Sequence, residues 1–310
     1  MKGVPVVFCH SGNQEYLRCA IQAAEKSGNK VVLLGDMTNE RFCNNWINQH
    51  ELNLDSYQQF EKVYKHLSTN SPSFELGCFK RYFLIKSYME SIGINACFMV
   101  DSDVLLFQDL NELDIRKEMH IVLSRRLEQP QYGWTASPHI FYCTIGALNE
   151  FIDFLFAEYS DNLSQLQEKY DYYQQNSKPG GVCDMTLLYL WSIDRSDCLN
   201  LCTIHDPVYD LSVQSINQFA DKVFVKDTLL NMKKIVLVNN EYQFCLRNGT
   251  RTKAAAIHFQ GTAKSLMCDY WNRKPYLMML IHRYLNYASS IAGKILKTRH
   301  KRSAYTASKY

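Results

Sequence analysis

The chain has 310 residues, 46% hydrophobic and 21% charged, with a formal net charge of +3 at pH 7. So much apolar material at near-neutral charge excludes a disordered chain, and no run of 18 or more apolar residues is present to form a membrane-spanning helix. The eleven cysteines are scattered, with no CxxC pair and no cluster of zinc spacing, so reduced, mostly buried thiols are expected rather than a disulfide framework or a structural zinc.

Residues 1–8 lack the basic and long apolar regions of a secretory leader, so a cytoplasmic chain is expected; the Asn162-Leu-Ser and Asn248-Gly-Thr sequons then carry no weight. From Lys294 onward there are six basic residues and no acid, against 28 basic and 31 acidic in the body. A slightly acidic body argues against a nucleic-acid partner, and the basic tail suits an anionic membrane surface.

In chain order, Val4–Phe8 reads as a strand, Gln14–Lys26 as a helix with Leu17, Ala20, Ile21 and Ala24 on one face, and Val31–Leu34 as a second strand. The switch from a short β-branched run to a recurrence at three and four residues and back is that of a βαβ unit, which implies parallel strands covered on both faces. Ligands in such sheets bind at the carboxyl ends of the strands, here Cys9–Asn13 and Gly35-Asp36. A polar stretch, 39–73, leads to a long helix over Phe79–Ser91 carrying Arg81 and Lys86. The next strand, Ala96–Val100, ends in Asp101-Ser-Asp103. Then come a strand at His120–Leu123, a segment around Ser137–Tyr142, a helix over Ala147–Tyr159, the Lys178–Cys183 loop, a helix over Asp184–Trp191 and a short strand at Ala254–Phe259. Residues 276–297 read as an amphipathic helix ahead of the basic tail. One α/β domain over residues 1–275 and a C-terminal extension over 276–310 are expected.

Two carboxylates, Asp101 and Asp103, at the end of a buried strand repel unless a cation lies between them. Oxygen ligands favour Mg²⁺ or Mn²⁺, ions that keep open positions for phosphate oxygens. His258 opens the stretch His258-Phe-Gln-Gly261-Thr-Ala-Lys264, which spaces an imidazole, a flexible glycine and a cation three apart. As a third ligand, His258 tilts the choice toward Mn²⁺.

These features resemble the GT-A-fold glycosyltransferases of the nucleotide-diphospho-sugar transferase superfamily, of the glycogenin and lipooligosaccharide galactosyltransferase types. The resemblance spans about residues 3–268 and is carried by the opening βαβ unit ending in Leu34-Gly35-Asp36, the helix containing Cys78–Ile85, the block Phe98-Met-Val-Asp101-Ser-Asp103, and His258-x-x-Gly261-x-x-Lys264. It implies a GT-A fold, with a mostly parallel central sheet flanked by helices on both faces. It further implies a metal-dependent transferase that moves a sugar from a nucleotide-diphospho-sugar, a UDP-sugar, to a glycan or lipid-linked acceptor. By the same resemblance Asp36 contacts the nucleotide, Arg81 reaches the nucleotide or the metal carboxylates, and Asp101, Asp103 and His258 hold the ion. Gly261 and Lys264 clamp the diphosphate, and Asp184 presents an acid to donor sugar or acceptor hydroxyl. The Pro-Trp that often follows the clamp lysine in these enzymes is Ser265-Leu266 here. His139 is read as a buried structural histidine or an acceptor-side residue, and Trp134 and Tyr170–Tyr173 as packing or sugar-stacking aromatics.

Three alternatives stay open. A nucleotide-sugar-binding protein that does not transfer would carry the same residues. A phosphoryl-transfer enzyme of the haloacid dehalogenase type would need Thr or Val at position 105, which is Leu, and a nucleotidylyltransferase would need a Gly-rich, Arg-containing opening loop.

Overall fold

The structure, a computed structural model, describes residues 3–216, 218, 223–286 and 288. The chain opens with strand β1 (Val6–Cys9), helix α1 (Glu15–Lys26) and strand β2 (Val31–Gly35). The face of α1 that recurs every three to four residues is buried, and Gly28 closes the helix with a positive φ of 93° that a side chain would resist. The polar stretch that follows is not structureless. It contains strand β3 (Trp46–Asn48) and helix α2 (Asp55–Val63), whose only buried residues, Tyr57 and Phe60, are too few to mark a helical period.

Helix α3 (Pro72–Ile92) starts about two turns earlier than its apolar period suggests. Ser71 caps it by accepting a bond from Phe74 N, Pro72 occupies its first turn, and Gly93 ends it in the left-handed conformation. Strands β4 (Ala96–Val100), β5 (Val104–Leu106), β6 (Ile121–Arg125) and β7 (Ala136–Thr144) precede helices α4 (Ile145–Ser160), α5 (Leu163–Gln175) and α6 (Asp184–Ser192). Tyr170–Tyr173 therefore lie on a helix and not in a loop. Between 192 and 254 the described residues form six short strands, β8 (Cys198–Asn200), β9 (Val208–Tyr209), β10 (Lys226–Asp227), β11 (Met232–Lys233), β12 (Ile235–Val238) and β13 (Glu241–Cys245). Strand β14 (Arg251–His258) and helix α7 (Lys264–Trp271) follow.

The main sheet has seven strands in the order β3-β2-β1-β4-β7-β6-β8. Strands β3, β2, β1 and β4 run parallel, as expected from the βαβ unit; β7 is antiparallel to both β4 and β6, so the parallel reading holds for most of the sheet and not all of it. A second sheet, β12-β13-β14-β5, is antiparallel, with β9 added beside β14. One core packs α1, α7 and the second sheet on one face of the main sheet; another packs α2, α3, α4 and α6 on the opposite face. Helices on both faces are what a largely parallel sheet requires.

The cysteines depart from expectation. Cys19 on α1 and Cys268 on α7 form a disulfide, with Cα atoms 5.8 Å apart, whereas the other nine are free. The partners are 249 residues apart, so no local spacing could reveal the pairing. Residues 276–286 and 288 are helical, and the other positions of the stretch expected as a helix over 276–297, with the basic tail from Lys294, lie outside the described residues.

Candidate active site

The site forms where the chain leaves the main sheet for the second one. Strand β4 ends at Val100, and the turn through Asp101–Asp103 carries the chain into β5, which pairs with β14. Two bonds hold the turn: Asp101 N donates to His139 O at 3.0 Å and Val104 N to Asp101 O at 3.1 Å. The β5–β14 register sets Val104 opposite His258, and Phe259 N donates to Asp103 O at 2.8 Å. A strand pairing across some 150 residues thereby places the imidazole beside the second carboxylate. Ligand atoms of Asp101, Asp103 and His258 all lie within 4.8 Å of one another, the only such group of three or more His, Cys, Asp or Glu among the described residues.

Two carboxylates and an imidazole form a donor set suited to a hard or borderline divalent ion such as Mn²⁺. The imidazole is held for such a role, because Nδ1 donates to Leu211 O at 2.7 Å and turns Nε2 toward Asp103 Oδ1, 3.4 Å away, where it would offer its lone pair to a bound ion. Lys264, the first residue of α7, brings Nζ to 3.0 Å from Asp103 Oδ2 and rests over the Tyr16 ring. Burial opposes charge at Asp103, but its bonds to His258 and Lys264 outweigh that and hold the carboxyl well below the usual range. The same contacts raise His258 and Lys264 against the opposing effect of burial. Asp101 goes the other way, since burial lifts it more than Arg81 can lower it.

Arg81 on α3 faces the first of these carboxylates. Nη1 donates to Asp101 Oδ1 at 2.5 Å, and Nη2 donates to Asp184 Oδ2. Asp184 is buried at the start of α6 and also accepts from Tyr82 Oη at 3.0 Å. It is not the N-cap of its helix; that position is Cys183. One guanidinium therefore ties the metal-type carboxylate to the acid on α6, Arg81 reaching Asp184 across 103 positions of sequence.

Asp36 lies at the exit of β2 and grips the loop after β1. It accepts from Gly12 N at 2.8 Å, Thr38 N at 2.9 Å and Thr38 Oγ1 at 2.5 Å. Burial would raise this carboxyl, and those bonds lower it below its ordinary value. Gly261 has φ +61°, and an added Cβ would come within 3.3 Å of Gln214 Oε1, so the turn between His258 and Lys264 suits a residue without a side chain.

His139 is fully buried and stacks on His258 at 4.6 Å between ring centroids, which matches the structural reading and not an exposed acceptor wall. Trp134 and Tyr172 pack against Tyr132, with Lys169 and Lys178 over the aromatic faces. Beside them is a cavity of about 320 Å³, lined by Arg126, Glu128, Tyr173, Met185, Leu211 and Gln260 among others; no residue of the triad lines it, but Leu211 is the residue that accepts from His258. Sequence reasoning missed His10, Asp210, Gln218 and Lys233, which lie around this centre, because no motif flanks them.

No family model and no curated relative matches the chain. Solved structures similar to it include several glycosyltransferases and a cytidylyltransferase. The apo form of mouse xyloside xylosyltransferase 1 is 11% identical over 66% of this chain and 85% of its own, with a TM-score of 0.44. A glycosyltransferase involved in glycosylating the major capsid of PBCV-1 is 11% identical over 87% of this chain and 99% of its own, at 0.41. An active-site mutant of LgtC is 12% identical over 64% of this chain and 72% of its own, at 0.38.

Proposed function

We propose that the chain is a metal-dependent glycosyltransferase that moves a sugar from a nucleotide-diphospho-sugar, a UDP-sugar, to a glycan or lipid-linked acceptor. The observation that carries this reading is the convergence of Asp101, Asp103 and His258 within 4.8 Å, with the Lys264 cation 3.0 Å from Asp103. Asp101, Asp103 and His258 would hold Mn²⁺ or Mg²⁺, and the ion, when bound, supplies a Lewis acid for the diphosphate oxygens.

The chain's own groups account for the rest. As the bond from the sugar's anomeric carbon to the diphosphate lengthens, negative charge grows on the leaving oxygens, and Lys264 is the cation placed to offset it. Asp36 and the loop at Gly12 would hold the nucleoside at the strand ends. Both bonds to Asp184 fall on Oδ2, which leaves Oδ1 to orient a donor-sugar hydroxyl, while Arg81 keeps that acid in register with Asp101. The acceptor hydroxyl would approach from the 320 Å³ cavity. For residues 276–310, read as a separate extension, the proposed role is to set the protein on the inner face of an anionic membrane.

The test is calorimetry of UDP-sugars with and without Mn²⁺ on the parent chain and on Asp103→Asn. The expected result is Mn²⁺-dependent binding by the parent and its loss in the variant, with cooperative unfolding retained. Equal binding by both would defeat the metal assignment.

A further inference from the structure

We propose that the fully buried Asp210–Lys233 ion pair is the positioning element of His258, holding its imidazole so that Nε2 faces Asp103 and a divalent cation; the inference rests on the metal-site reading above. Neither charge touches the carboxylates of the site, and both side chains have 0% exposure. A buried pair of this kind contributes little net stability, because desolvating two charges costs about as much as their attraction returns. Its geometry points instead to what it holds.

Asp210 spends one carboxylate oxygen on Lys233 Nζ and the other on the backbone N of His258, at 3.1 Å. Lys233 Nζ also donates to Gln218 Oε1 at 2.8 Å, and that oxygen accepts from Leu211 N at 2.9 Å. Leu211 is the residue whose carbonyl accepts from His258 Nδ1. The ammonium thus sits behind both anchors of the histidine, one on its backbone and one on its ring. Backbone bonds from Asp210 N to Ala256 O at 3.2 Å, Val213 N to His258 O at 3.0 Å and Lys233 N to Val213 O at 2.7 Å draw the same three segments together. A carbonyl fixed in this way keeps the proton on Nδ1 and the lone pair on Nε2, the tautomer a metal needs.

The experiment uses the full chain and Mn²⁺ alone as probe, with free Mn²⁺ followed by electron paramagnetic resonance and the His258 ring nitrogens by ¹⁵N NMR. Lys233→Met is expected to keep cooperative unfolding, weaken Mn²⁺ binding by about tenfold to hundredfold and mix the two imidazole tautomers. If the single variant does not fold, Asp210→Asn/Lys233→Met, which removes both charges together, carries the same expectation. A folded variant of either kind that binds Mn²⁺ as the parent does, with an unchanged ring tautomer, overturns the positioning role. His258→Ala separates the two levels: undiminished Mn²⁺ binding there overturns the metal reading itself and the inference with it.

Discussion

At the scale of single residues, charge compensation explains the arrangement. Asp101 and Asp103 each carry a cationic partner, Arg81 and Lys264, so two acids at the end of one strand coexist before any ion arrives. Lys169 shows the opposite condition. It is 2% exposed, donates only to Trp134 O at 3.3 Å and Thr186 Oγ1 at 2.8 Å, and burial pushes its ammonium down to about 8 from 10.5. Between those two values the unfolded chain binds a proton that the folded chain does not, so this residue makes stability rise with pH across that window. Below about 8 both states are charged and the full penalty is present. Urea unfolding of the parent and Lys169→Met from pH 7 to 11 should diverge by up to about 3 kcal/mol, with the parent gaining on the variant as pH rises. Parallel profiles would show that Lys169 is not held against its charge.

At the scale of elements, the elements that locate the site are those whose local signals agree. Strand β4, buried along four of its five residues and ended by two acids, was legible from composition alone. Helix α1 was legible from its buried face, and α6 from the Gly180-Gly181 turn before it. Helix α5 was not, since Leu166 and Lys169 are its only buried residues. The helical stretch 276–286 leaves Tyr276, Leu277, Met278, Ile281, Tyr284 and Leu285 exposed, at 46–67%, just ahead of the six basic residues from Lys294. An apolar face followed by cations suits the interface of an anionic bilayer, each basic residue adding about 1 kcal/mol at low salt. Removing the chain after Ala292 should lower sedimentation with phosphatidylserine vesicles about tenfold or more at low ionic strength, and the difference should shrink in high salt. Identical sedimentation by both chains would remove the membrane role.

At the scale of the whole molecule, the site is a junction between two sheets and three helices. Strand β4 and helix α3 bring Asp101 and Arg81, the second sheet brings His258, α7 brings Lys264 and α6 brings Asp184. The Cys19–Cys268 bond ties α1 to α7, the helix that starts at Lys264. A ligand bridging these parts binds the folded state alone. UDP with Mn²⁺ at a hundredfold excess over Kd should therefore stabilise the chain by about 2.7 kcal/mol, and a chelator should return the melting temperature to that of the free protein. A melting temperature indifferent to the chelator would show that the ion takes no part.

The opening βαβ unit, the burial of β4, the acids at its end and the cation-bearing turn after β14 are legible along the chain, because hydrophobic period, β-branched runs and glycine turns act over a few residues. Which of these groups meet is set by packing between distant segments. The pairing of β5 with β14 sets His258 against Asp103; the crossing of α3 and α6 sets Arg81 between Asp101 and Asp184; and the bond from Lys233 N to Val213 O draws β11 to the segment after β9, where Asp210 is buried against Lys233. Such contacts depend on register between strands and on how helices lie across a sheet, quantities set by the packing of the whole core and carried by no single stretch of chain.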